Sequence, residues 1–385
     1  MFCLFFGGEM PKILHIGDIH LDSPFSLFDV EKSQARRQEL RGTFTSIMMY
    51  AKLKNADIVL ICGDLFDSEF VTKETMNLIV SQFEDNPNCR FVITPGNHDP
   101  ATPKSAYLKT KFPDNVYVFR SEDVQKFCFD EIGVDVYGFA YEQDFYDKNP
   151  FDTHLYLDEN KINIFMAHAD MLSSGSRDCP ITERDISKSG CDYVALGHIH
   201  AGREAVKAGD TYYAYCGCPE GRSFDECGIK GGIFLNAEKN NGRFSVSFEY
   251  PRFCKKRYEK TEVDMSGLTT HEQMCEQVKK AVQKEGFGKD TLLRVRLVGI
   301  VSYDANFAPD KLQASEIGVY YVEAEDATIP LGGYDELKND ISIKGALLRE
   351  LMPKLQSEDE RERKIASLAL KYGLCAIMGE DVVDI

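Results

Sequence analysis

The chain has 385 residues, 43% hydrophobic and 11% aromatic, which is enough apolar material for two domains and excludes an intrinsically disordered chain. A formal net charge of −17 argues against strong non-specific attraction to nucleic acid, and no apolar run reaches the length of a membrane span. Twelve cysteines with no C-x-x-C pair read as reduced thiols of a cytoplasmic protein rather than a disulfide framework.

The opening MFCLFFGGEM is apolar, lacks a basic flank and is too short for a signal peptide, so residues 1–10 read as a disordered or non-native extension. From there one pattern recurs: a short apolar run delivers a polar cluster. KILHIG leads to Asp18 and His20, DIVLIC to Gly63 and Asp64, FVIT to Asn97 and His98, INIFMA to His168, and YVAL to Gly197, His198 and His200. Turn chemistry accounts for Pro95, Gly96 and Asn97, but it leaves His98 and Asp99 unexplained. Helical stretches at 31–54 and 72–83 separate the early runs and are too long for hairpin loops. Strands alternating with helices predict an α/β layered fold, in which strand ends gather ligands.

Residues 212–250 turn to shorter strands with Gly-rich turns, and a boundary is expected at 251–260. Beyond it, YEKTEVDMSG, a helix over 271–284 and TLLRVRLVGIV give a small α+β domain. Two helices close the chain. In the first, from Ile343, Leu347, Leu351 and Leu355 share a face, and Pro353 is expected to kink or end it near Met352; the second spans 358–372. The expected division is 11–255 catalytic, 256–335 accessory and 336–385 helical. Charge is uneven: residues 251–300 carry a balance of +4 and 301–385 one of −8. The run Arg252, Lys255, Lys256, Arg257 is therefore either a phosphate-tracking patch or a solvated strand edge.

Carboxylate, imidazole and amide are ligands for borderline divalent ions, and Asp18, His20, Asp64, Asn97, His168, His198 and His200 suffice for two of them. Two ions roughly 3.5–4 Å apart can clamp the attacking and leaving oxygens of a phosphoryl displacement. Taken singly, each residue has a plainer reading: Gly63-Asp64 as a strand terminator, His168 as a satisfied core histidine. Cys216 and Cys218 form a C-x-C that is a weaker candidate for a soft metal.

The blocks HIGDIHLDSP, ICGDLFDSE, TPGNHDP and ALGHIHAG, with a histidine after a later strand, resemble the signature of the calcineurin-like metallophosphoesterase superfamily. Followed by CGCPEGRSFDECG, and by VDMSG to DTLLRVRLVG, they are similar to the SbcD-type DNA repair exonucleases. The resemblance spans about residues 11–301 and implies a four-layer α-β-β-α sandwich with a small α+β capping domain. It implies one ion on Asp18, His20, Asp64 and His200, and a second on Asp64, Asn97, His168 and His198. His98 would protonate or stabilise the leaving oxygen, and Asp67 would orient it. Arg222 in GRSF would either reach a phosphate oxygen or form a structural salt bridge. The implied ion is Mn²⁺, with Fe²⁺, Zn²⁺ or Mg²⁺ as alternatives. The implied partners are DNA, an SbcC-like coiled-coil ATPase docked on the C-terminal helices, and a second copy of the chain, with no membrane. The sequence thus points to a DNA exonuclease or phosphodiesterase, and in second place to an enzyme for nucleotides or another small phosphoester. Cys216 and Cys218 stand where the resemblance leads one to expect proline and small residues.

Overall fold

The computed structural model describes residues 10–171, 175–302, 305–332, 340–355 and 357–378. The expectation for residues 1–10 falls outside these except at Met10. The chain divides into two compact units, Met1–Arg257 and Tyr258–Ile385.

In the first unit the strands are β1 (Lys12–Ile16), β2 (Ile58–Cys62), β3 (Arg90–Thr94), β4 (Val116–Val118), β5 (Gln125–Phe129) and β6 (Val134–Gly138). They continue with β7 (Ile162–His168), β8 (Tyr193–Gly197), β9 (Val206–Ala208), β10 (Thr211–Tyr215), β11 (Ile233–Asn240) and β12 (Arg243–Glu249). They form two six-stranded sheets, ordered β12-β11-β1-β2-β3-β4 and β5-β6-β7-β8-β10-β9. Each sheet has a parallel centre, β1 to β4 in one and β6, β7, β8 and β10 in the other. Antiparallel strands complete the edges.

Period-two alternation assigns the faces. Ile58, Leu60 and Cys62 of β2 meet Ile162, Ile164 and Met166 of β7 in the core between the sheets. Val59 and Ile61 point outward, under α1 (Val30–Lys54) and α2 (Lys73–Glu84). On the far side Phe165, Val194 and Leu196 pack beneath α4 (Glu183–Ser189), which follows the short α3 (Ala106–Lys109) in the chain. The layers therefore run helix, sheet, sheet, helix, as expected. The helix starts follow their caps: the Asp29 side chain accepts from Lys32 N at 2.8 Å, and Thr72 accepts from Thr75 N at 3.2 Å. Counting by twos from Ile162, the last residue of β7, His168, faces inward. The ends of β1, β2, β3, β7 and β8 open on one rim, and there the polar clusters sit.

In the second unit β13 (Arg257–Asp264), β14 (Thr291–Val298) and β16 (Tyr321–Asp326) form a three-stranded sheet, and β15 (Ile300–Ser302) pairs with β17 (Ile329–Gly332). On one sheet face α5 (His271–Glu285) buries Met274, Val278 and Val282 against Leu293, Val295 and Leu297. The short α6 (Ala314–Ile317) comes before β16. Two helices follow, α7 (Ile343–Leu355) and α8 (Glu360–Met378). Here a sequence expectation is corrected: α7 runs through Pro353 to Leu355. Proline lacks an N–H and crowds the carbonyl four residues earlier, so its cost falls on the turn before it, and the helix continues two residues further. The leucine stripe is also partly consumed within the chain: Leu351 is buried with Leu348 and with Leu370 and Leu374 of α8, and Leu347 and Leu355 pack partly buried against that cluster. Among the described residues no helix is long and apolar enough to cross a membrane.

Candidate metal centre

Strand ends place the donors, and an unusual backbone aims them. Asp18, His20, Asp64 and His198 have φ of 49°, 51°, 48° and 91°, a left-handed region that costs non-glycine residues energy and recurs at functional sites. The turns are also tight. A Cβ on Gly63, itself at φ 79°, would lie 2.0 Å from His168 Nδ1, and one on Gly96 would lie 2.2 Å from Asp64 Oδ1. Asp99 pins the next turn: its carboxylate accepts from Gly96 N at 2.8 Å, from Phe66 N at 3.0 Å and from the Tyr107 hydroxyl. Burial, then the neighbouring Asp64 charge, pushes the Asp99 carboxyl up to about 7.

The predicted ligands converge on two foci. At the first, His20 Nε2 lies 3.3 Å from His200 Nε2 and 3.5 Å from Asp64 Oδ2, with Asp18 Oδ1 3.9 Å from His200 Nε2. At the second, His168 Nε2 lies 2.9 Å from Asn97 Oδ1, 3.3 Å from Asp64 Oδ2 and 3.3 Å from His198 Nδ1. Asp64 Oδ2 belongs to both foci. Asp18, His20, Asp64 and His168 are buried, whereas His98 is exposed beside them.

These donors fit divalent cations. Around an ion with bonds of about 2.0–2.2 Å, neighbouring ligand atoms stand about 3 Å apart, which is the spacing seen here. Two pairs of imidazole nitrogens also face each other at 3.3 Å, an arrangement that a shared cation satisfies and two N–H groups cannot. Electrostatics agree. Burial alone would raise the Asp64 carboxyl, but the imidazoles of His168, His20 and His98 hold it well below the usual carboxylate range. Among the described residues, the clusters of metal-capable side chains are Asp18–His20–His200, His20–Asp64–His98 and Asp18–Asp64–His168, without any cysteine. Cys216 and Cys218 are buried, and burial pushes both thiols up.

The outer nitrogens of two of the four histidines are hydrogen-bonded, and those of the other two lie near carboxylates. His168 Nδ1 meets the Cys62 carbonyl at 3.2 Å, and His200 Nδ1 meets Glu226 Oε1 at 2.7 Å. His20 Nδ1 lies 3.3 Å from Asp67 Oδ1, and His198 Nε2 lies 3.9 Å from Asp178 Oδ2. One sequence expectation lands elsewhere. His98 Nδ1 sits 3.1 Å from the Asp67 backbone carbonyl, while the Asp67 carboxylate, the group expected to orient it, faces His20 and accepts from Arg222 Nη1 at 2.7 Å. Arg222 takes the salt-bridge alternative, reaching Asp67 and, at 3.0 Å, Glu226 Oε1. In the basic run, Lys255 N and Lys256 N donate to Glu220 and Lys256 Nζ lies 3.3 Å from Glu39 Oε1. Glu226 and Asp178 were missed because both lie in irregular loops with no strand end to flag them. The one available signal was Glu226 four residues after Arg222.

A sandwich of two mixed sheets with this rim of carboxylates and imidazoles defines a metallophosphoesterase, and the chain belongs to the calcineurin-like phosphoesterase family, matching it over residues 11–202. That family works through a dimetal centre. The chain is 31% identical over 289 residues to the uncharacterized metallophosphoesterase YhaO of Bacillus subtilis, spanning 71% of this chain and 68% of that one. It is 23% identical to the DNA double-strand break repair protein Mre11 of Methanopyrus kandleri over 88% of this chain and 76% of that one. It is 24% identical to the SbcD component of the SbcCD nuclease of Escherichia coli over 61% of this chain and 67% of that one.

Proposed function

We propose that the chain is a two-ion phosphodiesterase acting on DNA, a nuclease subunit of the SbcD type. The observation that carries the hydrolytic part is the meeting of two donor sets on Asp64 Oδ2, with His98 exposed at their edge. Asp18, His20, Asp64 and His200 would hold one ion, and Asp64, Asn97, His168 and His198 the other, with Mn²⁺ as the expected metal. When bound, such ions acidify a water nucleophile and offset the charge that develops on the phosphoryl oxygens.

The protein's own groups do the rest. His98 Nδ1 donates to the Asp67 carbonyl, since a carbonyl only accepts, and on this exposed ring Nε2 is then the nitrogen left to act on substrate. Carrying a proton there, His98 delivers it to the departing oxygen. The left-handed turns at Asp18, Asp64 and His198 keep the carboxylates and imidazoles aimed before substrate arrives, so little reorganisation remains.

The DNA substrate, exonuclease action and an SbcC-like ATPase docked on the C-terminal helices are supported by the resemblance to the Mre11 and SbcCD relatives. In the same reading residues 256–335 position the strand and two copies work together. A second reading, a hydrolase for nucleotides or other small phosphoesters, is favoured by arginines of the second unit that are already paired, Arg294 with Glu323 and Arg296 with Glu262 at 3.2 Å, while the charge of −17 suits a small anion no better than DNA but removes the bias toward DNA. Labelled single- and double-stranded DNA and a small phosphodiester, incubated with Mn²⁺ and with chelator, separate the two. Cleavage of DNA supports the first; turnover of the small ester alone, with or without the ATPase, supports the second.

A further inference from the structure

Glu226 is 8% exposed, and both of its oxygens are used. Oε1 accepts from His200 Nδ1 at 2.7 Å and from Arg222 Nη2 at 3.0 Å. Oε2 accepts from Arg222 N at 2.7 Å and lies 3.8 Å from the Cys218 thiol. The residue is thus fixed from three directions, and its remaining effect is on one imidazole. With Nδ1–H donated to Glu226, the His200 Nε2 lone pair must point inward, toward Asp18 and His20. The His200 carbonyl is held as well, by Lys230 Nζ at 3.0 Å, so ring and backbone are anchored separately.

The other focus is built differently. There His168 leans on the neutral Cys62 carbonyl and His198 has a carboxylate only at 3.9 Å. A carboxylate in hydrogen-bond contact with a ligating histidine fixes its tautomer and raises its basicity.

We propose that Glu226 is a positioning residue of the metal centre, holding His200 for the ion that Asp18 and His20 share. The inference rests on the two-ion reading above and makes the two ions unequal in their dependence on this one side chain.

The test is calorimetric titration of the chelator-stripped chain with Mn²⁺ alone, for the wild type, Glu226→Ala and Glu226→Gln. Two ions are expected on the wild type. Glu226→Ala should weaken one of them by about 10–100-fold and leave the other within about threefold, while Glu226→Gln, which keeps an oxygen to accept from Nδ1, recovers most of the loss. Equal binding of both ions by wild type and Glu226→Ala, or equal weakening of both, overturns the proposal and leaves the two-ion reading standing. A wild type that binds no Mn²⁺ overturns both. Should Glu226→Ala fail to fold in chelator, Glu226→Asp, one methylene short of His200, must show the same selective loss beside an intact Glu226→Gln; two ions bound normally by Glu226→Asp count against the proposal.

Discussion

His98 stands apart from the other histidines of the rim because its ring is the exposed one, with Nδ1 tied to the Asp67 carbonyl. A group that acts on the substrate without holding an ion should separate rate from metal binding. His98→Ala is expected to lose about 10²–10⁴-fold in turnover, the usual scale of general acid catalysis, with unchanged Mn²⁺ stoichiometry by calorimetry. Equal loss of metal would assign it to the ion-binding set instead. Gly96 makes the opposite kind of claim, since its part is to let the turn pack against Asp64 and Asp99. A methyl group there would sit 2.2 Å from Asp64 Oδ1 and 2.8 Å from Asp64 N, so either the turn or the shared carboxylate must move. Gly96→Ala should destabilise the chelated protein by about 1–3 kcal/mol, read from its urea midpoint, and weaken Mn²⁺ as well.

Between elements, two of the first unit's buried polar contacts give measurable predictions. Glu220, fully buried, accepts from Arg36 Nη2 and Thr43 Oγ1 of α1, each at 3.0 Å, and from Lys255 N at 2.7 Å, tying that helix to the segment after β12. Glu220→Ala leaves the fully buried Arg36 with Glu39 as its remaining carboxylate and the Lys255 and Lys256 N–H groups without this acceptor, and should cost about 1–3 kcal/mol by urea unfolding in chelator. The other contact is His15 on β1, whose Nδ1 meets the Tyr193 hydroxyl of β8 at 2.9 Å across the sheets. Burial, tempered by the Leu196 backbone, pushes this imidazole down to about 3 from 6.5. Below pH 6.5 the unfolded chain therefore gains a proton that the folded one refuses. Stability is kept above that pH and lost as pH falls toward 3. At about 1.4 kcal/mol per unit, the advantage of wild type over His15→Phe should shrink by roughly 2–3 kcal/mol between about pH 7 and about pH 4.5, measured in chelator. A gap independent of pH would mean that His15 takes up its proton in the fold as readily as in the unfolded chain.

Across the whole molecule, what could be read in advance follows one rule. Asp18, Asp64, Asn97, His168 and His198 were legible because each ends an apolar run, and strand ends in layered folds share a rim. Glu226, Asp178 and the engagement of Asp67 with His20 were not, because loops bring them in through tertiary contacts that no local period encodes. The continuation of α7 past Pro353 was missed for a related reason: the packing of Leu348 and Leu351 on α8 outweighs a proline confined to the last turn. Charge pairing also bears on partners. With Arg294 and Arg296 matched to carboxylates and a net charge of −17 on the chain, raising salt from about 50 to 200 mM should weaken duplex binding only about tenfold, far less than an interface with many phosphate contacts. A loss of a thousandfold or more in a filter-binding series would mean that an unpaired basic surface meets the strand.

The most direct measurement is hydrolysis of a chromogenic phosphodiester, the matching monoester and labelled DNA in parallel, with Mn²⁺ or with chelator, by the wild type and His98→Ala. Mn²⁺-dependent cleavage that disappears in chelator and in the variant is the expected result, with DNA among the substrates cut. Hydrolysis that persists in chelator, or that survives loss of His98 at the wild-type rate, contradicts a two-ion centre served by that histidine.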